Sequence, residues 1–182
     1  LAYSPLRDER GDIGGAEGAG DPQANTPYAV DVNAGWRNKF WPFSKNGTGM
    51  LCKEPPYGGI RAINMADGKI IWDRAFGTAR TNGPFGIPSM LPFTIGTPNN
   101  GGAVVTAGGL VFIAAATDNL IRAIDLRTGK TIWQDVLPGG GQATPMTYEA
   151  NGKQYLVIMA GGHHFMETPI SDALVAYALP ER

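Results

Sequence analysis

The chain has 182 residues, of which 43% are hydrophobic and 17% are charged, and its formal net charge is −1. This composition can bury a core, and the near-neutral charge excludes a basic surface of the kind that neutralises nucleic-acid phosphates. We therefore expect no nucleic-acid partner. The 26 glycines and 14 prolines, set among runs of Val, Ile and aromatic residues, are typical of turns between short strands and predict an all-β chain.

The chain begins with a short strand-like stretch and a long insertion. Residues 1–4 are expected to be the tail of a second strand in a truncated first unit, which resumes at Tyr57. Residues 5–56 are rich in Gly, Pro, Asn and charge, with alternation only at 28–32, and they predict an inserted loop. Such a segment is either mobile or functional, and roles in a substrate channel or in docking a partner are both open.

Residues 57–182 carry an internal repeat. The sequence IRAIN…DGKIIW at 60–72 recurs as IRAID…TGKTIW at 121–133, which is 61 residues later, and a partial third copy, LVAYAL, occupies 174–179. Each full copy predicts a hairpin, in which a strand and a glycine turn precede a second strand that ends in Trp. Repeats of this length, with several short strands each, are typical of β-propeller blades.

The predicted strands form one complete blade and one open blade. Strands at 103–107, 110–116, 119–125 and 130–134 make a four-stranded middle blade, whereas the last blade has strands at 144–149, 154–160 and 173–179 only. Propellers that close into a ring cover such an open edge with a strand from the other end of the chain. We therefore expect a sector of two to three blades whose last outer edge is unpaired or covered by a neighbouring molecule.

Five candidate site residues are predicted to share one face of this sector. In up-and-down blades the connections from strand four to strand one, and from strand two to strand three, emerge together. Asn100, Gly101 and Gly102 precede a first strand, and Asp118 and His163 follow the second strands of successive blades. Glycine beside a strand end allows a flat ligand to approach the backbone. An Asx turn at Asp118, a surface role for His163 and simple corners at the glycines remain open alternatives.

The sequence has no metal-ligand cluster, P-loop, dinucleotide fingerprint or nucleophile elbow, so these residues alone do not identify a reaction. The Trp-ended repeats, together with NGGAVVTAGGLVF at 100–112, GQATPMTYE at 141–149, NGKQY at 151–155, AGGH at 160–163 and VAYALP at 175–180, resemble the PQQ-dependent (quinoprotein) dehydrogenases. The resemblance is specifically to the C-terminal part of the membrane-bound glucose dehydrogenases, and it extends from about residue 51 to residue 180.

The resemblance implies a partial eight-bladed β-propeller of the quinoprotein type. It implies pyrroloquinoline quinone (PQQ) on the propeller axis, a Ca²⁺ or Mg²⁺ ion, and electron transfer to ubiquinone. The reaction would be the oxidation of a sugar or polyol hydroxyl by hydride transfer to the quinone, with a carboxylate as base. The enzyme would be periplasmic and held at the membrane by segments upstream of this chain. The remainder of the propeller would carry the base and most metal ligands, so this chain alone is expected to be inactive.

The resemblance also assigns roles to the candidate residues. Asn100 corresponds to a cofactor contact, with Gly101 and Gly102 beside it, Asp118 to an acidic residue near the cofactor and metal, and His163 to a histidine that affects substrate affinity. From His164 to residue 171 the sequence departs from the glucose enzymes, so polyols, quinate and shikimate are alternative substrates. A redox-inactive propeller scaffold or interaction domain, in which the Trp repeats are purely structural, is the alternative function.

Overall fold

The computed structural model describes side chains for residues 54–81, 88–163, 166 and 168–179, and the backbone of two short strands, β1 (Ala2–Pro5) and β2 (Tyr28–Asp31). Most of the predicted insertion at 5–56, and residues 164, 165 and 167 of the stretch that departs from the glucose enzymes, lie outside the described residues. The described helical structure is one 3₁₀ turn at Ala79–Thr81, and no described helix is long and apolar enough to cross a membrane.

Strands β1 and β2 form a two-stranded antiparallel sheet of their own, with Ala2 opposite Asp31. The prediction that residues 1–4 are the tail of a second strand in a truncated first unit was therefore wrong: within the described residues β1 pairs with β2 and not with β3. The alternating stretch around Tyr28 lies nearer in the chain than any strand of that blade, and closing the shorter loop costs less entropy.

The two full copies of the repeat form equivalent hairpins. In the first copy β3 (Gly59–Ile63) pairs with β4 (Ile70–Ala75), and in the second β7 (Leu120–Asp125) pairs with β8 (Thr131–Val136). Both hairpins have a register shift at the same point of the repeat. Gly68 and Gly129 both adopt a φ of 70°, a left-handed conformation that favours glycine in a tight turn. The repeated sequence therefore encodes a repeated backbone.

The middle sheet is the complete blade that the sequence predicts. It contains β5 (Ala103–Val105), β6 (Leu110–Ile113), β7 and β8 in that order, all antiparallel. Strand β6 ends three residues before the predicted limit, because beyond Ile113 the pairing continues only through an isolated bridge between Asn99 and Ala116. Strand β8 continues two residues past its predicted end.

The last sheet has three strands, β9 (Met146–Ala150), β10 (Lys153–Ala160) and β11 (Ala173–Ala178), with β10 in the centre. Within the described part of the chain, the outer edge of β11 pairs with no strand, as predicted. The three sheets from β3 to β11 therefore provide the hairpin of a first blade, one complete four-stranded blade, and one blade of which the described residues form three strands.

Strands β6 and β7 of the middle blade are packed on both faces, whereas β8 is exposed along its length. Because side chains alternate along a strand, Val111 and Ile113 of β6 pack towards the first hairpin, while Phe112 packs towards the last sheet. Two clusters result: one contains Trp72 and the other contains Ile158 of β10. Full burial of each large aliphatic side chain stabilises the fold by about 1.5–3 kcal/mol, so successive sheets are held face to face.

A tryptophan also joins the first hairpin to the middle blade. Trp72 is 6% exposed, and its Nε1 donates a hydrogen bond of 2.8 Å to the carbonyl of Leu126. The ring lies so close to Gly129 that a Cβ there would be 2.6 Å from it. The equivalent Trp133 is 39% exposed and contacts Tyr177 edge-on, with ring centroids 5.1 Å apart. Trp72 therefore docks on the next turn of the repeat.

Candidate functional site

Four connections meet at one end of the middle and last blades, and we call them the candidate rim: residues 99–102, 114–119, 139–144 and the described part of 161–168. The backbone N–H of Asn100 donates to the carbonyl of Ala115 at 3.0 Å. The side chain of Gln142 donates to the neighbouring carbonyl of Ala116 at 3.4 Å. The connection before β5 and the connection before β9 therefore both attach to the segment that follows β6.

The fourth connection, which carries His163, is attached to the same rim. Gly140 donates a backbone hydrogen bond to Pro169, and Gly162 donates one to Gly140, each at 2.9 Å. The segments that contain Asn100 and His163 therefore belong to one end of two neighbouring blades. This is the arrangement that up-and-down connectivity leads one to expect.

Asp118 is fully buried, and donors of its own chain fill its carboxylate. Oδ2 accepts hydrogen bonds from the backbone N–H of Thr78 at 2.7 Å and from the Thr78 hydroxyl at 2.9 Å, and it forms an ion pair with Arg122. Oδ1 accepts from the backbone N–H of Leu120 and from the Arg122 guanidinium, both at 3.2 Å. The Leu120 bond forms an Asx turn, and the Thr78 bonds join the middle blade to the segment after β4.

Arg122 is the partner that the sequence reasoning missed. Its side chain is 5% exposed, and its guanidinium lies 5.0 Å from the centre of the Phe76 ring. The available signal was an arginine inside the otherwise apolar run LIRAI, because a buried charge requires a bonded counter-charge. The carboxylate of Asp118 therefore faces Arg122 and Thr78, and its predicted role beside the cofactor stays a prediction.

Asn100, Gly101 and Gly102 differ in what surrounds them. Asn100 is exposed, and its side-chain amide has no hydrogen-bond partner among the described residues. A Cβ on Gly101 would lie 2.7 Å from the carbonyl oxygen of Gln142, and one on Gly102 would lie 2.1 Å from the Thr144 hydroxyl. The space that these glycines leave is therefore used for packing between blades. The predicted cofactor contact at the two glycines stays a prediction, and it would have to involve their backbone.

His163 is half-buried, and one of its ring nitrogens is bonded within the chain. Nδ1 accepts a hydrogen bond of 3.3 Å from the backbone N–H of Met166. In the neutral ring this bond assigns the proton to Nε2, because one nitrogen is then an acceptor and the other a donor. Nε2 has no partner within the described part of the chain. The ring can therefore donate a hydrogen bond to an oxygen of a bound molecule.

Two further polar residues of the rim escaped the sequence reasoning. Thr168 is 5% exposed, and its hydroxyl accepts a hydrogen bond from the backbone of His163 and donates one to Gln142. Both residues lie in Gly-rich connections, which was the available signal. Residue spacing does not indicate that Thr168, before β11, meets Gln142, before β9.

Two groups among the described residues have shifted pKa values, and both lie away from the rim. The hydroxyl and the backbone N–H of Thr128 each donate to Asp125 at 2.7 Å, which lowers the pKa of Asp125 in the hairpin turn. Burial raises the pKa of Tyr177 far above its usual range, and the hydrogen bond that its hydroxyl donates to Asp135 at 3.0 Å acts in the same direction. These groups affect stability rather than the site.

The candidate rim presents hydrogen-bond donors of the kind that PQQ requires, and its described residues present no set of ligands for a metal ion. The described residues contain no group of three or more His, Cys, Asp or Glu that could hold a metal, and donors of the chain already occupy Asp118. A flat quinone that carries carboxylates needs hydrogen-bond donors along its edge. The exposed amide of Asn100 and Nε2 of His163 are two such donors at the rim.

Comparison with known proteins gives a family match along most of the chain. The family model described as the PQQ glucose/ethanol/alcohol dehydrogenase β-propeller domain matches residues 4–156. The match includes both hairpin repeats and the whole middle blade, so the sheets from β3 to β11 are blades of a partial β-propeller.

Three relatives illustrate the range of similar enzymes. The chain is 63% identical over 169 residues to the glycerol dehydrogenase large subunit of Gluconobacter oxydans (strain 621H), a match that covers 92% of this chain and 22% of that subunit. It is 43% identical to the quinoprotein glucose dehydrogenase of Escherichia coli (strain K12), covering 92% of this chain and 20% of that enzyme. It is also 43% identical to a probable quinate dehydrogenase (quinone) of Xanthomonas campestris pv. juglandis, covering 88% and 19%. The chain thus spans about a fifth of the length of these relatives.

Proposed function

Because this chain belongs to the PQQ glucose/ethanol/alcohol dehydrogenase β-propeller family, we propose that it is a sector of a larger dehydrogenase that oxidises a hydroxyl group of a polyol or sugar. The observation that carries the proposal is the family match over residues 4–156. The larger protein, which we call the parent enzyme, would supply the remaining blades, the catalytic base and the ligands of the Ca²⁺ or Mg²⁺ ion.

PQQ supplies the chemistry of this reaction by accepting a hydride from the carbon that bears the substrate hydroxyl. The residues of this chain bind and orient. The amide of Asn100 donates to an edge oxygen of the cofactor, and Nε2 of His163 donates to a hydroxyl oxygen of the substrate. Asp118 would fix the segment between β6 and β7 through its bonds to Arg122 and Thr78. The exposure of Asn100, and the lack of a partner for Nε2 of His163 among the described residues, support these roles.

The proposed substrate is a polyol of the glycerol type. Identity to the glycerol dehydrogenase large subunit is 63%, against 43% for the glucose and quinate enzymes. Ubiquinone as electron acceptor, and a periplasmic location at the membrane through segments of the parent enzyme, follow from the resemblance and are proposed with it.

A substrate panel on the parent enzyme tests the reaction. The enzyme is prepared without cofactor, then loaded with PQQ and Ca²⁺ or Mg²⁺, and dye reduction is measured with glycerol, other polyols, glucose, quinate and 1-butanol. We expect dye reduction that depends on PQQ and is fastest with polyols. Absence of dye reduction with every substrate would overturn the proposal and support a redox-inactive scaffold.

The role of His163 is tested by replacing it with Ala. Loss of one neutral hydrogen bond to the substrate is expected to raise KM about 3- to 10-fold with kcat little changed, because the bond is present in both the ground and transition states. Lys130→Ala, an exposed change in the hairpin turn at the other end of the blade, is the control and should leave both constants unchanged. A fall in kcat at constant KM would contradict a role in binding alone.

A further inference from the structure

The hydrogen bonds around Thr168 define a second residue that acts on the candidate substrate site. We propose that Thr168 is a positioning residue, which fixes the direction of the His163 ring and its distance from the neighbouring blade. The inference rests on the proposed role of His163 in binding substrate. Thr168 itself is 5% exposed and contacts the substrate at no step.

Thr168 holds the backbone of His163 on both sides. The N–H of His163 donates to the Thr168 hydroxyl at 2.9 Å, and the N–H of Thr168 donates to the carbonyl of His163 at 3.4 Å. The ring is held separately, because Met166 donates to Nδ1. With the backbone and Nδ1 both fixed, the direction in which Nε2 points is determined.

The same hydroxyl attaches this turn to the connection before β9. Thr168 donates a hydrogen bond of 2.7 Å to Oε1 of Gln142, and Nε2 of Gln142 donates to the carbonyl of Ala116 in the middle blade. Close approach is possible because Gly140 has no side chain: a Cβ there would lie 2.1 Å from the Thr168 hydroxyl. A continuous chain of bonds therefore runs from His163 of the last blade to the middle blade.

This chain of bonds ends beside the proposed cofactor wall. The carbonyl that accepts from Gln142 belongs to Ala116, and the carbonyl of the preceding residue, Ala115, accepts from the backbone of Asn100. Thr168 and Gln142 thus relate the proposed substrate donor, His163, to the proposed cofactor donor, Asn100. Loss of the Thr168 hydroxyl would leave both donors in place but would remove the side-chain bond among those that set their relative position.

The test compares Thr168→Val, which keeps the shape of the side chain but removes the hydroxyl, with Thr168→Ser, which keeps the hydroxyl. In the PQQ-loaded parent enzyme we expect Thr168→Val to raise KM for the polyol about 3- to 10-fold. Thr168→Ser, which keeps the hydroxyl, is expected to retain the wild-type KM. In a His163→Ala background, Thr168→Val should raise KM no further, because the group that it positions is gone. Thermal unfolding of each variant reports stability separately.

Each outcome decides between defined alternatives. An equal rise in KM in the presence and absence of His163 would overturn the positioning role while leaving the binding role of His163 intact. An unchanged KM in His163→Ala alone would overturn the proposed function of His163, and the positioning role with it. If Thr168→Val does not fold, Gln142→Met removes the same connection from the other side, and an unchanged KM in that variant would overturn the inference.

Discussion

The buried pair of Asp118 and Arg122 predicts a large loss of stability when one partner is removed alone. Replacing Asp118 with Asn preserves its size but leaves the Arg122 guanidinium, 5% exposed, without a counter-charge. An uncompensated buried charge of this kind lowers the free energy of unfolding by about 3–5 kcal/mol. Arg122→Met is expected to cost less, about 3 kcal/mol, because Thr78 and Leu120 still donate to the carboxylate.

The double variant Asp118→Asn with Arg122→Met separates the charge from the shape. It removes both charges together, and the amide oxygen of Asn can still accept from Thr78, while the amide NH2 replaces the oxygen that accepts from Leu120. We therefore expect the double variant to recover most of the loss and to lie within about 1–2 kcal/mol of wild type. Urea unfolding of the cofactor-free parent enzyme, followed by tryptophan fluorescence, gives the coupling energy of the pair.

Two results would refute this reasoning. A loss below about 1 kcal/mol in each single variant would show that the pair contributes no more than a surface ion pair. Losses that add up in the double variant would show that the two residues are not coupled. If Asp118→Asn left the cofactor-free protein as stable as wild type but weakened PQQ binding, Asp118 would act on the cofactor, as the family resemblance implies.

Two further predictions concern the hairpin turns and the outer strand. Gly129→Ala is expected to destabilise the protein more than Gly68→Ala. Both positions have a φ of 70°, where an alanine costs about 1–2 kcal/mol. Only Gly129 lies against Trp72, where the added methyl group overpacks and costs about 1–3 kcal/mol more. Equal losses in chemical unfolding would contradict the docking of Trp72. The wild-type protein is expected to lose stability as the pH rises from 10.0 through the raised folded-state pKa of Tyr177, because in this range the unfolded chain ionises the group and the folded protein does not. Tyr177→Phe should remove this loss. Parallel declines of both proteins from about pH 9 to about pH 11 would refute the shift.

The blades were predictable from sequence because their signals are local. Alternation, glycine turns and the repeated Trp identified β5 to β11 within a few residues. The error at residues 1–4 arose because two short strands can pair in several ways, and alternation along the chain does not rank those pairings. The limit of β6 was overestimated because the apolar run through Ala116 is buried by packing rather than by sheet pairing.

The candidate rim was predictable only in part. Blade connectivity was enough to expect Asn100 and His163 at one end. The partners of Asp118 were not predictable, since Thr78 lies 40 residues away and reaches it through packing between blades. Gly101 and Gly102 illustrate the same limit: the sequence indicates a close approach, but not that Gln142 and Thr144 are the groups that approach.

The contact between Trp72 and Gly129 has a polarity, because one blade supplies the ring and the next supplies the turn. The equivalent turn at Gly68 has no ring against it, because no described atom lies within 4 Å of a Cβ position there. The equivalent ring, Trp133, is 39% exposed. Head-to-tail contacts close into a ring when their rotation divides a full circle, and otherwise continue as a helix. A ring built from this contact therefore closes only at the number of blades for which the rotation from one blade to the next divides a full circle.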